Sequence, residues 1–213
     1  MGTLIEILVL AFGAAMIIFK LISVLGQRTG FDPSEGRRET FRDPLNPSEK
    51  QETTFSSSEE ELIGPGLRKI YAQMLSVDSR FSLSRFLAGA TRAFEMIVLA
   101  YAKEDLKSLK SLLSSEVYKD FEVAVKERQQ KRESLETTIA KIESSQITDM
   151  RLQETEAMMT VRFISEQTHV IRNEAGEIIE GTAKQSEQII DIWTFSRDLR
   201  SKDFQWTLIK VEQ

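Results

Sequence analysis

The stretch from Leu4 to Leu25 constrains this chain more than any other. It is a 22-residue apolar run interrupted only by Glu6 and Lys20. Fourteen of its residues are Leu, Ile, Val or Phe, Phe12, Ile17 and Phe19 among them. As a helix it reaches about 33 Å at about 1.5 Å per residue, enough to cross a hydrocarbon core of about 30 Å. Its apolar side chains favour insertion by up to about 6 kcal/mol, and Lys20 sits near one end, where it can snorkel to the headgroups. A cleavable signal peptide would start with a basic segment and end in a small-residue site. Met1-Gly2-Thr3 precede this run, and no clear cleavage site follows Leu25. A buried soluble helix would keep a polar face, whereas this run is apolar all round. Residues 4–25 are therefore expected to be a transmembrane anchor.

Arg28, Arg37 and Arg38 follow the run, and no Lys or Arg precedes Glu6. The positive-inside rule then places the C-terminal body in the cytoplasm, or in the matrix in a mitochondrial setting. Residues 26–63 change character, with Pro33, Pro44, Pro47, the run Ser56-Ser57-Ser58 and isolated apolar residues such as Phe31, Phe41 and Phe55. Such a segment cannot bury enough apolar surface to offset its ordering entropy, so a disordered linker is expected. A flexible chain of that length has a reach of roughly 30–37 Å.

Gly64-Pro65-Gly66 punctuates the start of a soluble domain, expected over 67–213. It lacks the Lys-Ser/Thr of a phosphate loop. Leu67, Ile70, Tyr71, Met74 and Leu75 fall at helical spacing. Ser82 is placed to cap the strongest helix, whose stripe runs Leu83, Phe86, Leu87, Ala90, Phe94, Ile97, Val98 and Tyr101. Asp105 is placed to cap a short helix bearing Leu106, Leu109, Leu112 and Leu113. A further helix begins near Ser115, buries Val117, Tyr118, Phe121, Ala124 and Val125, and turns polar through Arg128, Lys131 and Arg132. The period then changes to two. Strands are expected through Ala157–Ile164, after the turn Asn173–Gly176 at Ile178-Ile179, through Ile189–Phe195 and through Phe204–Val211. Thr137–Leu152 holds one more strand of poor register. Helices followed by antiparallel strands predict an α+β domain with helices packed on one face of a curved sheet.

Composition narrows the chemistry. The net charge of −5 over 213 residues argues against a nucleic-acid binder, which needs surplus Lys and Arg. There is no cysteine, which removes disulfides, thiolate metal sites and cysteine nucleophiles together. His169 is the single histidine, so Glu166 with His169 falls short of the three or more ligands a metal site requires. Neither metal nor cofactor is expected.

Several strings resemble a known family. These are Phe86-Leu87-Ala88-Gly89-Ala90, Ala93-Phe94-Glu95-Met96-Ile97-Val98, Val117-Tyr118 with Phe121, Val161-Arg162-Phe163, and Asp191-Ile192-Trp193-Thr194-Phe195-Ser196-Arg197-Asp198. With Asp105, Ser201, Asp203 and Trp206 they resemble the C-terminal domain of the Tim forty-four family. That family includes the mitochondrial inner-membrane translocase subunit and bacterial TimA-type relatives. The resemblance covers residues from Leu67 to the C-terminus and implies a nuclear-transport-factor-two-like fold with a large apolar groove. It also implies membrane association and a role in protein translocation or membrane-protein biogenesis. For the bacterial members the setting is the inner membrane, with the domain facing the cytoplasm. One departure stands out: the family pattern Asp-Pro-Asn-Trp appears here as Asp203-Phe204-Gln205-Trp206. The long region that recruits a chaperone motor in the mitochondrial subunit is absent from the bacterial members.

Phe86, Phe94, Tyr101, Phe163, Trp193, Phe195 and Trp206 are the candidates for lining an apolar groove, or else they form the helix–sheet core. Phe12, Ile17, Phe19 and Lys20 are the anchor candidates. Arg162, Asp191, Arg197 and Asp198 read as strand-end ion pairs or turn contacts more readily than as an acid–base set. The functional expectation is a non-enzymatic adaptor that binds membrane lipids and membrane or translocated proteins, with the translocation machinery as a further partner. A carrier or sensor of small apolar ligands such as lipid is the alternative, and an enzyme of the same fold ranks below it.

Overall fold

The computed structural model describes residues 59–212. The expected anchor, with Phe12, Ile17, Phe19 and Lys20, and the linker as far as Ser58 lie outside the described residues. Among those described, no helix is long and apolar enough to cross a membrane.

After a 3₁₀ turn at Pro65–Leu67 come four helices: α1 (Arg68–Val77), α2 (Leu83–Ala102), α3 (Leu106–Leu112) and α4 (Ser115–Gln130). Side-chain caps set three of the starts. Ser82 Oγ accepts the Arg85 N–H at 3.2 Å, Asp105 Oδ1 the Ser108 N–H at 3.0 Å, and Ser114 Oγ the Val117 N–H at 3.3 Å. Five strands follow: β1 (Ser134–Gln153), β2 (Glu156–Arg172), β3 (Ile178–Gly181), β4 (Glu187–Asp198) and β5 (Thr207–Glu212). All pair antiparallel in the order β1-β2-β4-β5, and β3 joins β2 beyond the end of β4. The domain is α+β, with a curved sheet.

β1 and β2 are longer than their periodicity predicts: β1 breaks its own period, and β2 keeps its alternation through the buried polar residues Ser165 and Gln167. The register of β1 slips between Ile139 and Lys141, Ile142 and Ser144, and Ile147 and Asp149. Each bulge inserts one residue and flips the facing. Ile139, Ile142, Ile147 and Met150, spaced by three, five and three, therefore all turn to the same side and pack on the core. The bulges also blunt a long edge strand and bend the sheet.

On β2 and β4, Ala157, Met159, Val161, Phe163, Asp191, Trp193, Phe195 and Arg197 are buried, and the residues between them are mostly half-exposed. One sheet face is thus covered. α2 lies on it through Phe86, Ala90, Phe94 and Ile97.

Two segments depart from the sequence reading. The described fold already includes Glu59 to Ile63, at the end of the stretch read as linker. Ile63 is buried in the core, and the Glu59 carboxylate accepts the Leu83 and Ser84 N–H groups and the Ser82 and Ser84 hydroxyls at the start of α2. An anion at a helix N-terminus is favourable there. Arg128, read as part of a polar helix end, is buried. It pairs with Glu104 at 3.3 Å, donates to the Tyr101 carbonyl at 2.7 Å and lies 4.7 Å over the Tyr101 ring.

Gly181 ends β3 with φ of 80°, and a Cβ there would stand 1.9 Å from the His169 carbonyl oxygen. A non-glycine residue in this conformation costs about 1–2 kcal/mol before the clash is counted. Gly181→Ala is expected to free β3 locally. Amide exchange at Val170 and across β3 should accelerate while that of β4 stays slow.

Candidate functional site

A ladder of rings runs from the interior to the surface. Phe94 stacks on Phe163 with centroids 4.5 Å apart and meets Trp193 at 4.8 Å. Trp193 contacts Phe195 at 6.3 Å, and Phe195 contacts Phe86 at 6.2 Å. Phe86 meets Trp206 edge-on at 4.6 Å, and Trp206 lies 6.1 Å from Phe81, which touches Tyr71. Six of the seven groove candidates are therefore brought together. Phe86, Phe94, Phe163, Trp193 and Phe195 are buried and fill the space between α2 and the sheet. Trp206 is half-buried at the rim. Tyr101 stands apart near the far end of α2, packed edge-on against Phe121 at 5.2 Å.

At the rim the chemistry becomes ionic. Arg197 Nη2 donates to Asp78 Oδ2 at 3.0 Å, and both side chains are buried. Arg80 donates its backbone N–H to Asp78 Oδ1 at 3.1 Å and its Nε to the same oxygen at 3.4 Å. Burial pulls the Asp78 carboxyl upward. The Arg80 bonds and charge, with Arg197 beside them, outweigh it and hold the carboxyl below its usual range. The Arg197 guanidinium also lies 5.4 Å over Trp206 and 5.5 Å over Phe204. Its buried Nε meets no hydrogen-bond acceptor among the described residues, so ring faces are part of its surroundings.

The loop from β4 to β5 is held by its own short-range bonds. Asp198 accepts the Arg200 N–H at 2.9 Å, Ser201 Oγ the Asp203 N–H at 3.0 Å, and Asp203 the Gln205 N–H at 2.9 Å. The Gln205 amide reaches the Ser111 carbonyl and pins the loop to the helices. Hydrogen bonds thus shape the turn that carries Phe204. Two shallow clefts flank this loop. One, of about 340 Å³, is lined by Glu156, Arg197, Asp198, Asp203 and Gln205 among others. The other, of about 590 Å³, is lined by Asp78, Arg80, Arg200, Lys202 and Phe204 among others.

The other candidates are dispersed. Asp191 shares the covered face with Arg197 but lies six positions away along β4, roughly 20 Å at about 3.4 Å per residue. Arg162 is half-buried and faces the opposite side of the sheet. Asp198 ends β4 and is held below the usual carboxyl range by the Arg200 N–H and the Thr155 hydroxyl. His169 Nδ1 lies 3.0 Å from Thr137 Oγ1, and burial lowers its pKa. Among the described residues no three His, Cys, Asp or Glu side chains assemble as a metal site. Asp78, Arg80, Phe81, Arg200 and Lys202 escaped the sequence reading, and Phe204, expected to open the last strand, lies in the loop before Thr207. The only signal was the Asp78-Ser79-Arg80 loop next to a helix cap.

A helix layer on one face of a curved, bulged antiparallel sheet, sealed by an aromatic ladder, defines an α+β domain class. The Tim44-like domain profile matches residues 67–213, and the chain belongs to that family. The family theme is, in general, a membrane-associated role related to protein translocation. A search of curated proteins returned no match. Among solved structures, the chain is similar to the intermembrane space region of the chloroplast protein ARC6, at 11% identity and a TM-score of 0.46. The match covers 62% of this chain and 96% of that one.

Proposed function

We propose that this chain is a non-catalytic, membrane-anchored adaptor. In this reading Leu4–Leu25 holds the domain at the inner face of a bacterial cytoplasmic membrane. There it presents its surface to translocating or newly inserting proteins. Family membership over residues 67–213, joined to the apolar run at the N-terminus, carries the proposal. Tethering raises the effective concentration of the domain near the bilayer, so a weak surface suffices to engage clients. The closed packing of Phe94, Phe163 and Trp193 favours an adaptor over an internal carrier, because a ligand entering there would have to part stacked rings.

The test is deletion of residues 1–26. The truncated chain is expected to leave salt-washed membranes quantitatively, whereas the full chain stays with them. Retention of the truncated chain would show that the run is not the anchor. Protease digestion of sealed inner-membrane vesicles reads the orientation. Digestion of the domain from the periplasmic side would overturn the inner-face assignment.

A further inference from the structure

The helices cover one face of the sheet, and several side chains on the other face are ill suited to water. An antiparallel sheet with one solvated face normally turns polar residues outward. On the central strands β2 and β4, Met158, Ile164, Ile190 and Ile192 alternate with the buried Val161, Phe163, Asp191 and Trp193 and so point away from the helices. All four are half-exposed, and none of them joins the hydrophobic core. Ile164 lies directly opposite Ile190, and Ile192 opposite Arg162.

Charges stand at the margins of this face, ordered by the strand register. Across one row, Asp149 of β1 pairs with Thr160, Thr160 with Thr194, and Thr194 with Lys210 of β5. Residues directly opposite each other in an antiparallel ladder share a face. The Thr160 and Thr194 hydroxyls indeed meet there at 3.0 Å. The row therefore reads anion, hydroxyl, hydroxyl, cation, and changes sign from one edge of the sheet to the other. A neighbouring row holds Gln146, Arg162, Ile192 and Glu212 in line.

We propose that this face is the interface with a second copy of the chain, related by a dyad parallel to the strands between β2 and β4. Such a dyad lays β1 of each copy on β5 of the other and keeps every row opposite itself. Asp149 then faces Lys210 of the second copy, and by symmetry the same pair forms twice. Glu212 of the second copy comes over Gln146, beside Arg162. The isoleucines meet at the centre, which gives an apolar middle inside a charged rim. A dyad across the strands would stack β1 on β1 and β5 on β5, and the opposed charges would not meet. The sign change within one row names a second copy as occupant, since only a self-complementary contact requires it. The area agrees. At about 3.4 Å per residue and about 4.8 Å between strands, the four strands present roughly 700 Å² per copy, close to the ~800 Å² per partner of a standard interface. The dimer needs no anchor, so it stands apart from the adaptor reading.

The chain has no cysteine, so single thiols can be placed at chosen positions. Full-length Asp149→Cys and Lys210→Cys chains are co-expressed, purified in mild detergent and treated with a short bis-methanethiosulfonate linker. A linked dimer is expected from the mixture and little from either chain alone, because equivalent residues of the two copies lie three strands apart, about 14 Å. No linked species from the mixture, or equal linking by either chain alone, overturns the proposal. Light scattering of the full chain supplies a second reading. Asp149→Lys and Lys210→Asp, one at a time, should weaken the dimer at least about tenfold, since each reversal acts twice across the dyad. Combining the two changes should restore it. Within one chain Asp149 pairs with Arg151 and Lys210 with Glu212, so the combined variant puts like charges together on both strands. A merely structural role therefore predicts further loss in the combined variant, and that result overturns the interface. A dimer indifferent to all these charge changes is held by another surface and overturns it equally. A monomeric chain whose Ile190→Cys thiol is shielded from maleimide in cell extracts would mean that a different protein covers the face.

Discussion

Phe94→Ala is expected to destabilise the domain by about 3–5 kcal/mol, the usual cost of truncating a fully buried phenylalanine. Phe94 has no exposed surface, stacks on Phe163 at 4.5 Å and touches Trp193 at 4.8 Å, so its removal leaves a cavity walled by rings that cannot readily collapse. Domains of this size are commonly stable by only about 5–15 kcal/mol, so the loss is a large fraction of the total. A urea transition followed by the emission of Trp193 and Trp206 reads the effect directly. Met96→Ala, one turn face away and 48% exposed, is expected to stay within about 0.5 kcal/mol. The stacked pair should also couple. Truncating Phe94 and Phe163 together is expected to cost less than the sum of the single changes, by about 0.5–1.5 kcal/mol. The same measurement bears on function. If these rings lined an open ligand channel, Phe94→Ala would cost far less and would change retention of apolar ligand instead.

The helical half of the domain was legible because its signals are local. Ser82 and Asp105 do cap α2 and α3, and the stripe from Leu83 to Ile97 does face the sheet, since three- and four-residue spacing needs no knowledge of the partner. β1 resisted because Ile139, Ile142, Ile147 and Met150 share a face only when three bulges are known in advance, and bulges leave no fixed signature in the chain. Arg128 looked like a polar helix end because its partners, Glu104 and the Tyr101 carbonyl, come from a different helix and its following turn. The site divides in the same way. The ring types were readable, but which of them close the core and which reach the rim depends on packing between α2 and strands far along the chain. The ring at Phe204 is legible as a residue type, whereas its exposure depends on the loop that Gln205 pins to Ser111.

Arg197→Leu is expected to cost about 3–5 kcal/mol, because it leaves a buried carboxylate without its interior partner. Asp78 and Arg197 are separated by 119 positions and meet at 3.0 Å with both side chains buried, so the bond ties the α1–α2 corner to the end of β4. The exposed Arg80 cannot replace it, since it approaches the other oxygen from the solvent side at 3.4 Å. Replacing both members, Asp78→Leu with Arg197→Leu, should recover much of the loss, because no unpaired charge then remains inside. The pH dependence has a defined sign. Asp78 titrates below its unfolded value, so its contribution is present at neutral pH and is lost as the pH falls from about 4 through that depressed range. The stability gap between wild type and Asp78→Asn, measured by urea transitions, should therefore be largest near neutrality and shrink in acid. A gap that held constant into acid would mean that the ionised carboxylate is not what secures the corner. The cation–ring contacts of Arg197 with Phe204 and Trp206 would then be left to explain why the pair is buried.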